Sequence, residues 1–290
     1  MAVGAIVSIS MILPVRNEEK RLEIGAKKLL SYCAGKGWDF ELIFVQDDSS
    51  DKTASILERI KFLDNRVKIL NMPVRLGKGG AIISAILNLP MKEYVAYMDI
   101  DLSAEPPELE RLFEHVKDYD VVIGSRNLHK DLVLIKRPYY RSILSHLYSR
   151  LFRVLFRIPI LDPQCGLKLF RSEIVRNLFQ SIRIPDFAFD SDLIVTACSQ
   201  NLKIKEVPIN WTHRSSSKVR TIHEIGPMAT DILSIWYRFH LLWQQHKATY
   251  PQKRGSTYGR LLFILLSSIN KIKKRDLEHE KIISLVSEFN

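Results

Sequence analysis

The first half of the chain alternates short β-rich apolar runs with helical patterns, and each apolar run leads into charged or polar residues. The runs cover 6–13, 40–46, 66–70, 94–98 and 120–124, and helical patterns fill 18–33, 53–63, 80–89 and 107–116. Apolar strands separated by helices of this length need cover on both faces, which predicts a mostly parallel sheet between helical layers. In such sheets ligands bind beyond the carboxyl ends of the strands. Those ends read Pro14-Val15-Arg16-Asn17-Glu18, Asp47-Asp48-Ser49-Ser50-Asp51, Arg75-Leu76-Gly77-Lys78-Gly79-Gly80, Asp99-Ile100-Asp101 and Gly124-Ser125-Arg126. Carboxylates and cations are therefore expected together on one rim.

Charge narrows the class of partner. The formal net charge is +11, and eleven lysines and arginines fall within 126–176 against three acids. A second basic block, 247–275, carries eight and no acid. Such a balance suits an anionic partner: nucleic acid, a membrane surface or a phosphorylated substrate. The chain has no recognised nucleic-acid motif and its acids cluster on the expected ligand rim, so a nucleic-acid partner is not expected. The three cysteines (Cys33, Cys165, Cys198) form no CxxC, which favours a reducing compartment over a disulfide framework. No run reaches the ~18 apolar residues of a spanning helix. The apolar start lacks a basic flank and stops at Pro14, so it reads as a first buried strand and not a signal peptide.

From Pro138 onward the pattern is amphipathic. Leu144, Leu147, Leu151, Leu155 and Ile158 recur at helical spacing, with Arg150, Arg153 and Arg157 as a basic stripe beside them. Met228, Ile232, Ile235, Phe239 and Leu242 repeat the spacing, with Trp236, Tyr237 and Trp243 alongside. Either stripe could pack on the sheet; aromatic and basic company favours helices lying in a membrane interface. The expected division is an α/β domain over 1–223, followed by membrane-associated amphipathic helices and a basic tail over 224–290.

Asp99 and Asp101 can reach one cation only if the strand breaks there, and hard ions such as Mg²⁺ or Mn²⁺ favour carboxylate and phosphate oxygens. Lys78 sits in a glycine-rich turn entering a helix, a layout that brings backbone N–H groups and an ammonium near phosphate. Neither a Walker loop nor a dinucleotide-binding GxGxxG is present. Asp51 is expected to cap a helix, which leaves Asp47 or Asp48 for a nucleotide base or ribose. A lipid monophosphate acceptor is already largely dianionic at pH 7, so it needs cations to align it and no general base.

The ordered set Pro14-x-Arg16-Asn17-Glu18, Asp47-Asp48-x-Ser50-Asp51, Gly77-Lys78-Gly79-Gly80, Asp99-x-Asp101 and Gly124-Ser125-Arg126 resembles inverting family-2 glycosyltransferases of GT-A fold. Further along, Asp162-Pro163-Gln164-Cys165-Gly166-Leu167-Lys168-Leu169-Phe170, Phe187-Ala188-Phe189-Asp190, Glu206-Val207-Pro208-Ile209-Asn210-Trp211 and Ser217-Lys218-Val219 are similar to the dolichyl-phosphate glucosyltransferase branch. Dolichyl-phosphate mannose synthases share the earlier motifs. The resemblance, over about 6–245, implies transfer of one sugar (glucose favoured, N-acetylglucosamine or mannose possible) from a nucleotide sugar, UDP-linked by preference, to dolichyl or another polyprenyl phosphate. It places the enzyme on a membrane with its site on the cytoplasmic face, of the endoplasmic reticulum in a eukaryote or the plasma membrane in a prokaryote. Another membrane glycolipid or a polysaccharide is the alternative acceptor.

The implied roles are specific. Pro14, Arg16, Glu18, Asp47, Asp48, Lys78, Asp99 and Lys218 would hold the nucleotide sugar, and Asp99 with Asp101 the metal. Arg126, Arg141 and Ser145 would meet the acceptor phosphate, while Asp162, Gln164, Asp190 and Asp192 would shape the sugar pocket; Asp190 is also expected among the catalytic groups with Asp99, Asp101, Arg126 and Arg141. Two departures stand out. Arg16 occupies a position usually aromatic in the family, and Ser103 stands where mannose synthases carry a metal-binding Gln.

Overall fold

The computed structural model describes residues 6–135, 139–186, 188–213, 228 and 230–240. Seven strands form the main sheet: β1 (Ser8–Val15), β2 (Asp39–Asp47), β3 (Val67–Met72), β4 (Tyr94–Tyr97), β5 (Val121–Ser125), β7 (Lys168–Arg171) and β8 (Ile204–Pro208). Their spatial order is β3-β2-β1-β4-β7-β5-β8. The neighbours pair in parallel except for β7, which runs antiparallel to both β4 and β5. A small second sheet pairs β6 (Val133–Ile135) with β9 (Trp211–Thr212).

Period-two alternation along each strand divides the core between the two faces of the sheet. Leu42 and Phe44 face one side with Ile9, Met11 and Leu13; Ile43 and Val45 face the other with Ile12 and Tyr97. The first side is covered by α1 (Leu22–Gly35), α2 (Thr53–Leu63) and α4 (Glu108–Phe113), through residues such as Leu29, Leu57 and Leu112. The second is covered by α3 (Gly77–Asn88), α5 (Tyr139–Phe156), α6 (Ser172–Gln180) and α7 (Phe189–Ser199). The mostly parallel sheet between helical layers expected from the alternation is present, and it is GT-A-like, as the family resemblance implied.

Two expectations for the amphipathic stripes need correction. In α5 the core face is made by Ser149, Phe152 and Phe156, with Leu155 packed beside them, while Leu147 and Leu151 of the expected single stripe lie on the exposed face. That exposed face also presents Ile143 and Val154, and Arg150, Arg153 and Arg157 are exposed as well. In the helix over 230–240, Ile232 and Ile235 are buried and Phe239 packs against the core. These three side chains of the stripe pack on protein, with Phe239 against Phe156 of α5. Leu242, Trp243 and the 247–275 block lie outside the described residues.

Candidate active site

β4 stops at Tyr97, and the chain turns at once: Leu102 N–H donates to the Asp99 carbonyl at 3.1 Å. Leu102 is buried with φ of 50°, a left-handed conformation costly for a residue with a Cβ, so the surrounding packing holds the turn. The Ser103 N–H closes a second small turn onto Asp101 Oδ1 at 2.9 Å. Breaking the strand in this way removes the alternation that would send the two carboxylates apart. Burial first, then the charge of Asp99, raise the Asp101 carboxyl above the ordinary range, against the Ser103 N–H and Arg21.

Asp99 and Asp101 thus bring two hard anionic oxygen donors together, a set that suits Mg²⁺ or Mn²⁺. Among the described residues there is no group of three His, Cys, Asp or Glu side chains arranged to hold a metal. The pair fits an ion completed by diphosphate and water, which is how Mg²⁺ is commonly held. Gly166 leaves room for this turn: a Cβ there would lie 2.1 Å from Asp99 Oδ2.

The cations around this turn come from different elements. Lys78, in the first turn of α3, lies 2.9 Å from Asp99 and 4.0 Å from Asp190. Burial works against its charge, but Asp99 and Asp190 overcome that and push it above the ordinary lysine value. The turn that carries it is clamped by Asp47, which accepts the N–H groups of Leu76 (2.6 Å) and Gly77 (3.0 Å). Gly77 has φ of +77°, a conformation that glycine adopts without penalty. Asp47 is buried by this work, whereas Asp48, at φ of 51°, is exposed. Of these two acids, Asp48 is the one that faces solvent at the rim.

The loop after β1 is sewn to the loop after β2. Asn17 accepts the Ser50 N–H at 2.7 Å, Thr53 accepts the Glu18 N–H at 2.7 Å, and Asp51 accepts the N–H groups of Thr53 (2.9 Å) and Glu19 (3.2 Å). Pro14 is half-buried in β1, while Arg16 is exposed just beyond it and near enough for its charge to act on Asp47. Glu18 is ion-paired with Arg21, which also approaches Asp101 at 3.8 Å. Arg21 was not expected at the site; its position at the start of α1 gave no motif signal.

Antiparallel β7 begins on this same rim, pairing Lys168 with Tyr97. Lys168 is fully buried and donates to three acceptors: the carbonyls of Pro163 (3.1 Å) and Cys165 (2.7 Å) and Asp190 Oδ1 (2.5 Å). Tyr97 donates to the same Asp190 oxygen at 2.5 Å. Burial would raise the Asp190 carboxyl, but the ammonium groups of Lys168 and Lys78 and the two hydrogen bonds hold it below the ordinary carboxylate range. Burial and Asp190 push the Tyr97 phenol well up, so it remains the donor. A lone lysine in the apolar run Leu167–Phe170 was the available signal for this network, because a charge in a buried strand needs a partner.

At the end of β5, Arg126 grips Asp162 with Nε at 2.6 Å and Nη2 at 2.5 Å, and its backbone N–H adds a third bond at 2.9 Å. Its guanidinium lies 5.7 Å from the centroid of the Trp211 ring. Asp162 is in turn fixed through its own N–H to Glu206 at 2.7 Å. Gln164 is half-buried in the same loop. Asp192, two residues after Asp190, points elsewhere. Two residues rotate a helix by about 200°, and Asp192 accepts the backbone N–H groups of Arg183 (2.8 Å) and Ile184 (2.9 Å). The structure therefore separates these two acids, which the sequence grouped in one sugar pocket. Ser145 is half-exposed on α5, and Arg141 lies in the first turn of that helix with its side chain outside the described set. Lys218 lies outside the described residues.

The site is a strand-end rim with a paired-carboxylate turn, a glycine-rich helix start and cations (Arg21, Lys78, Arg126 and Lys168) held by carboxylates. The model of the family described as "Glycosyl transferase family 2" matches residues 10–179, more than half of the chain and all of the elements just described up to α6. The chain belongs to glycosyl transferase family 2. The transferase is 29% identical over 243 residues to glycosyltransferase AglD of Haloferax volcanii, covering 82% of this chain and 38% of AglD. It is 30% identical over 253 residues to the dolichyl-phosphate beta-glucosyltransferase of Dictyostelium discoideum, covering 82% of this chain and 77% of that protein. The chain thus spans well under half of AglD and about three-quarters of the Dictyostelium enzyme. In solved structures, a similar fold occurs in glucosyl-3-phosphoglycerate synthase from Mycobacterium tuberculosis, in complex with Mn²⁺, UDP-glucose and phosphoglyceric acid. That match has a TM-score of 0.59 and 20% identity, covering 80% of this chain and 79% of that one.

Proposed function

We propose that this family-2 enzyme transfers glucose from UDP-glucose to dolichyl or another polyprenyl phosphate, with inversion at the anomeric carbon. The observation that carries the reading is the state of the acids around the turn. Asp99 is engaged by Lys78, Asp162 by Arg126, and Asp190 by Lys168 and Tyr97. Asp162 and Asp190 are occupied in fixing cations, and Asp99 is given to Lys78 or, with donor bound, to the metal, which suits an acceptor that arrives as an anion and needs no proton removed. The kinship to proteins named for dolichyl-phosphate glucosyl transfer points the same way.

In this reading the turn at Gly77–Gly80 and Lys78 receive the donor diphosphate, with Asp48 and Arg16 toward the nucleoside. Asp99 and Asp101 hold Mg²⁺ or Mn²⁺, which when bound supplies charge neutralisation to the diphosphate. Arg126, in line with its place beside Trp211, aligns the acceptor phosphate, assisted by Arg141 and Ser145. A phosphate oxygen forms the new bond to the anomeric carbon as the bond to UDP breaks, and UDP leaves with the electron pair. Lys78 stabilises the negative charge that grows on the leaving group. The second Asp190 oxygen, 4.0 Å from Lys78, is assigned in this reading to a hydroxyl of the donor sugar.

The exposed face of α5 provides the membrane contact. Ile143, Leu147, Leu151 and Val154 are 48%, 62%, 40% and 68% exposed, and they share that side of the helix with Arg150 and its neighbours. Apolar side chains interleaved with arginines suit an interface lined by anionic lipid, on the cytoplasmic face of the endoplasmic reticulum or plasma membrane. No helix among the described residues is long and apolar enough to cross a membrane. The test of the site is Asp101→Ala in a glucose-transfer assay with dolichyl phosphate and Mg²⁺ or Mn²⁺. Transfer should fall at least ~100-fold, and EDTA should have the same effect on the wild type, reversibly. Full activity in EDTA would contradict the metal role.

A further inference from the structure

The helix over 230–240 stands where the sequence predicted a membrane-surface element, yet its inner face belongs to the core. Asp231, Ile232 and Ile235 are buried, and Phe239 meets Phe156 of α5 edge-on at 6.0 Å. Arg238 on this helix is ion-paired with Asp192 in the first turn of α7. Asp192 is fully buried and has further partners: the N–H groups of Arg183 and Ile184, and the Thr196 hydroxyl at 3.2 Å. It is therefore a junction between the helix over 230–240 and the segment 183–186.

That segment touches the glycine-rich turn directly. The Pro185 carbonyl accepts the Gly80 N–H at 3.1 Å. Asp186 sits against Gly77, where an added Cβ would lie 2.7 Å from Asp186 Oδ1. Lys78 stands between these two contacts.

We infer that Arg238 is a positioning residue for the nucleotide-sugar turn: by holding Asp192 it keeps segment 183–186 pressed on Gly77–Gly80 and so places Lys78. The inference rests on the reading that this turn receives the donor diphosphate. Arg238 acts through the segment, because Asp192 lies on the opposite side of α7 from Asp190 and Lys78. Charge-assisted hydrogen bonds to a buried carboxylate are the strong kind, and losing one should loosen the segment by about 5- to 30-fold. The link makes donor binding depend on whether the helix over 230–240 is docked, so an event that moves that helix would be felt at the donor turn.

The test compares the full chain with Arg238→Ala and Arg238→Lys by amide hydrogen exchange. In Arg238→Ala, peptides covering 76–80 and 183–186 should exchange about 5- to 30-fold faster, while β1 and β2 keep wild-type rates. Arg238→Lys, which keeps the charge, should show a smaller change. Calorimetric affinity for UDP with MnCl₂ should fall in the same order. Unchanged exchange at 76–80 in the folded alanine variant would overturn the inference, and so would acceleration spread equally over β1 and β2. If the alanine variant does not fold, the lysine variant decides on the same peptides. A wild type that fails to bind UDP would instead count against the donor reading of the turn, and the exchange rates judge the Arg238 link without any nucleotide.

Discussion

Lys168→Met keeps the length of a fully buried side chain and removes its ammonium. The Pro163 and Cys165 carbonyls lose the Lys168 ammonium as donor, and Asp190 Oδ1 keeps only the Tyr97 hydroxyl. Removing one partner of a buried ion pair costs about 3–5 kcal/mol, because the other charge stays in a medium that solvates it poorly. At ~2–3 °C per kcal/mol for a chain of this size, the melting midpoint should drop by about 6–15 °C at pH 7. The pH dependence has a definite sign. Asp190 is held below its unfolded value, so its contribution is full above about pH 4 and is lost as pH falls through its folded value. The deficit of the variant should therefore be largest at neutral pH and shrink on acidification below about pH 4. Thermal unfolding followed by circular dichroism at pH 7 and across the acid range measures both features. A midpoint within about 2 °C of wild type at pH 7, or a deficit that grows on acidification, would refute the account of the Lys168–Asp190 pair.

Two further outcomes follow from the geometry. Gly166→Ala should place a methyl group on the Asp99 carboxylate and reduce transfer at least ~100-fold, with a small change in melting because Asp99 can rotate toward solvent; steady-state kinetics beside a melting curve separate the two effects. Charge reversal of Arg150, Arg153 and Arg157 together should weaken cosedimentation with anionic vesicles, at about 1 kcal/mol per charge and less in high salt. Calorimetric UDP affinity should stay at the wild-type level, and wild-type cosedimentation of the triple variant would remove α5 from the membrane contact.

Apart from β8, whose run Lys205 and Glu206 interrupt, the parallel strands and their rim were legible in the sequence because each lies in a β-rich run with polar punctuation at its carboxyl end. β7 was not. It is four residues long, contains a lysine, and runs against its neighbours, so neither length nor periodicity marks it. Its reversal matters to the site, since it brings Lys168 to the rim beside Tyr97. Side-chain roles within the motifs were harder to read than the motifs themselves. Asp47 and Asp48 are adjacent letters, but one accepts the N–H groups of the glycine-rich turn and the other is exposed. Asp190 and Asp192 fall on opposite sides of one helix. The stripe of α5 was misassigned because that helix carries apolar residues around most of its circumference, and periodicity alone does not say which arc meets the sheet. Phe152 and Phe156, which do, are the larger side chains and bury more area.

In the proposed reaction the acceptor brings its own anionic nucleophile to a site where Asp162 and Asp190 are engaged in holding cations. Comparing dolichyl phosphate with dolichol as acceptor for radiolabelled UDP-glucose, in the same detergent and with Mn²⁺, tests it most directly. Glucose should pass to the phosphate in β linkage, with turnover on the free alcohol at least ~100-fold lower, since a neutral alcohol needs a general base worth about that factor. Comparable transfer to dolichol would contradict it.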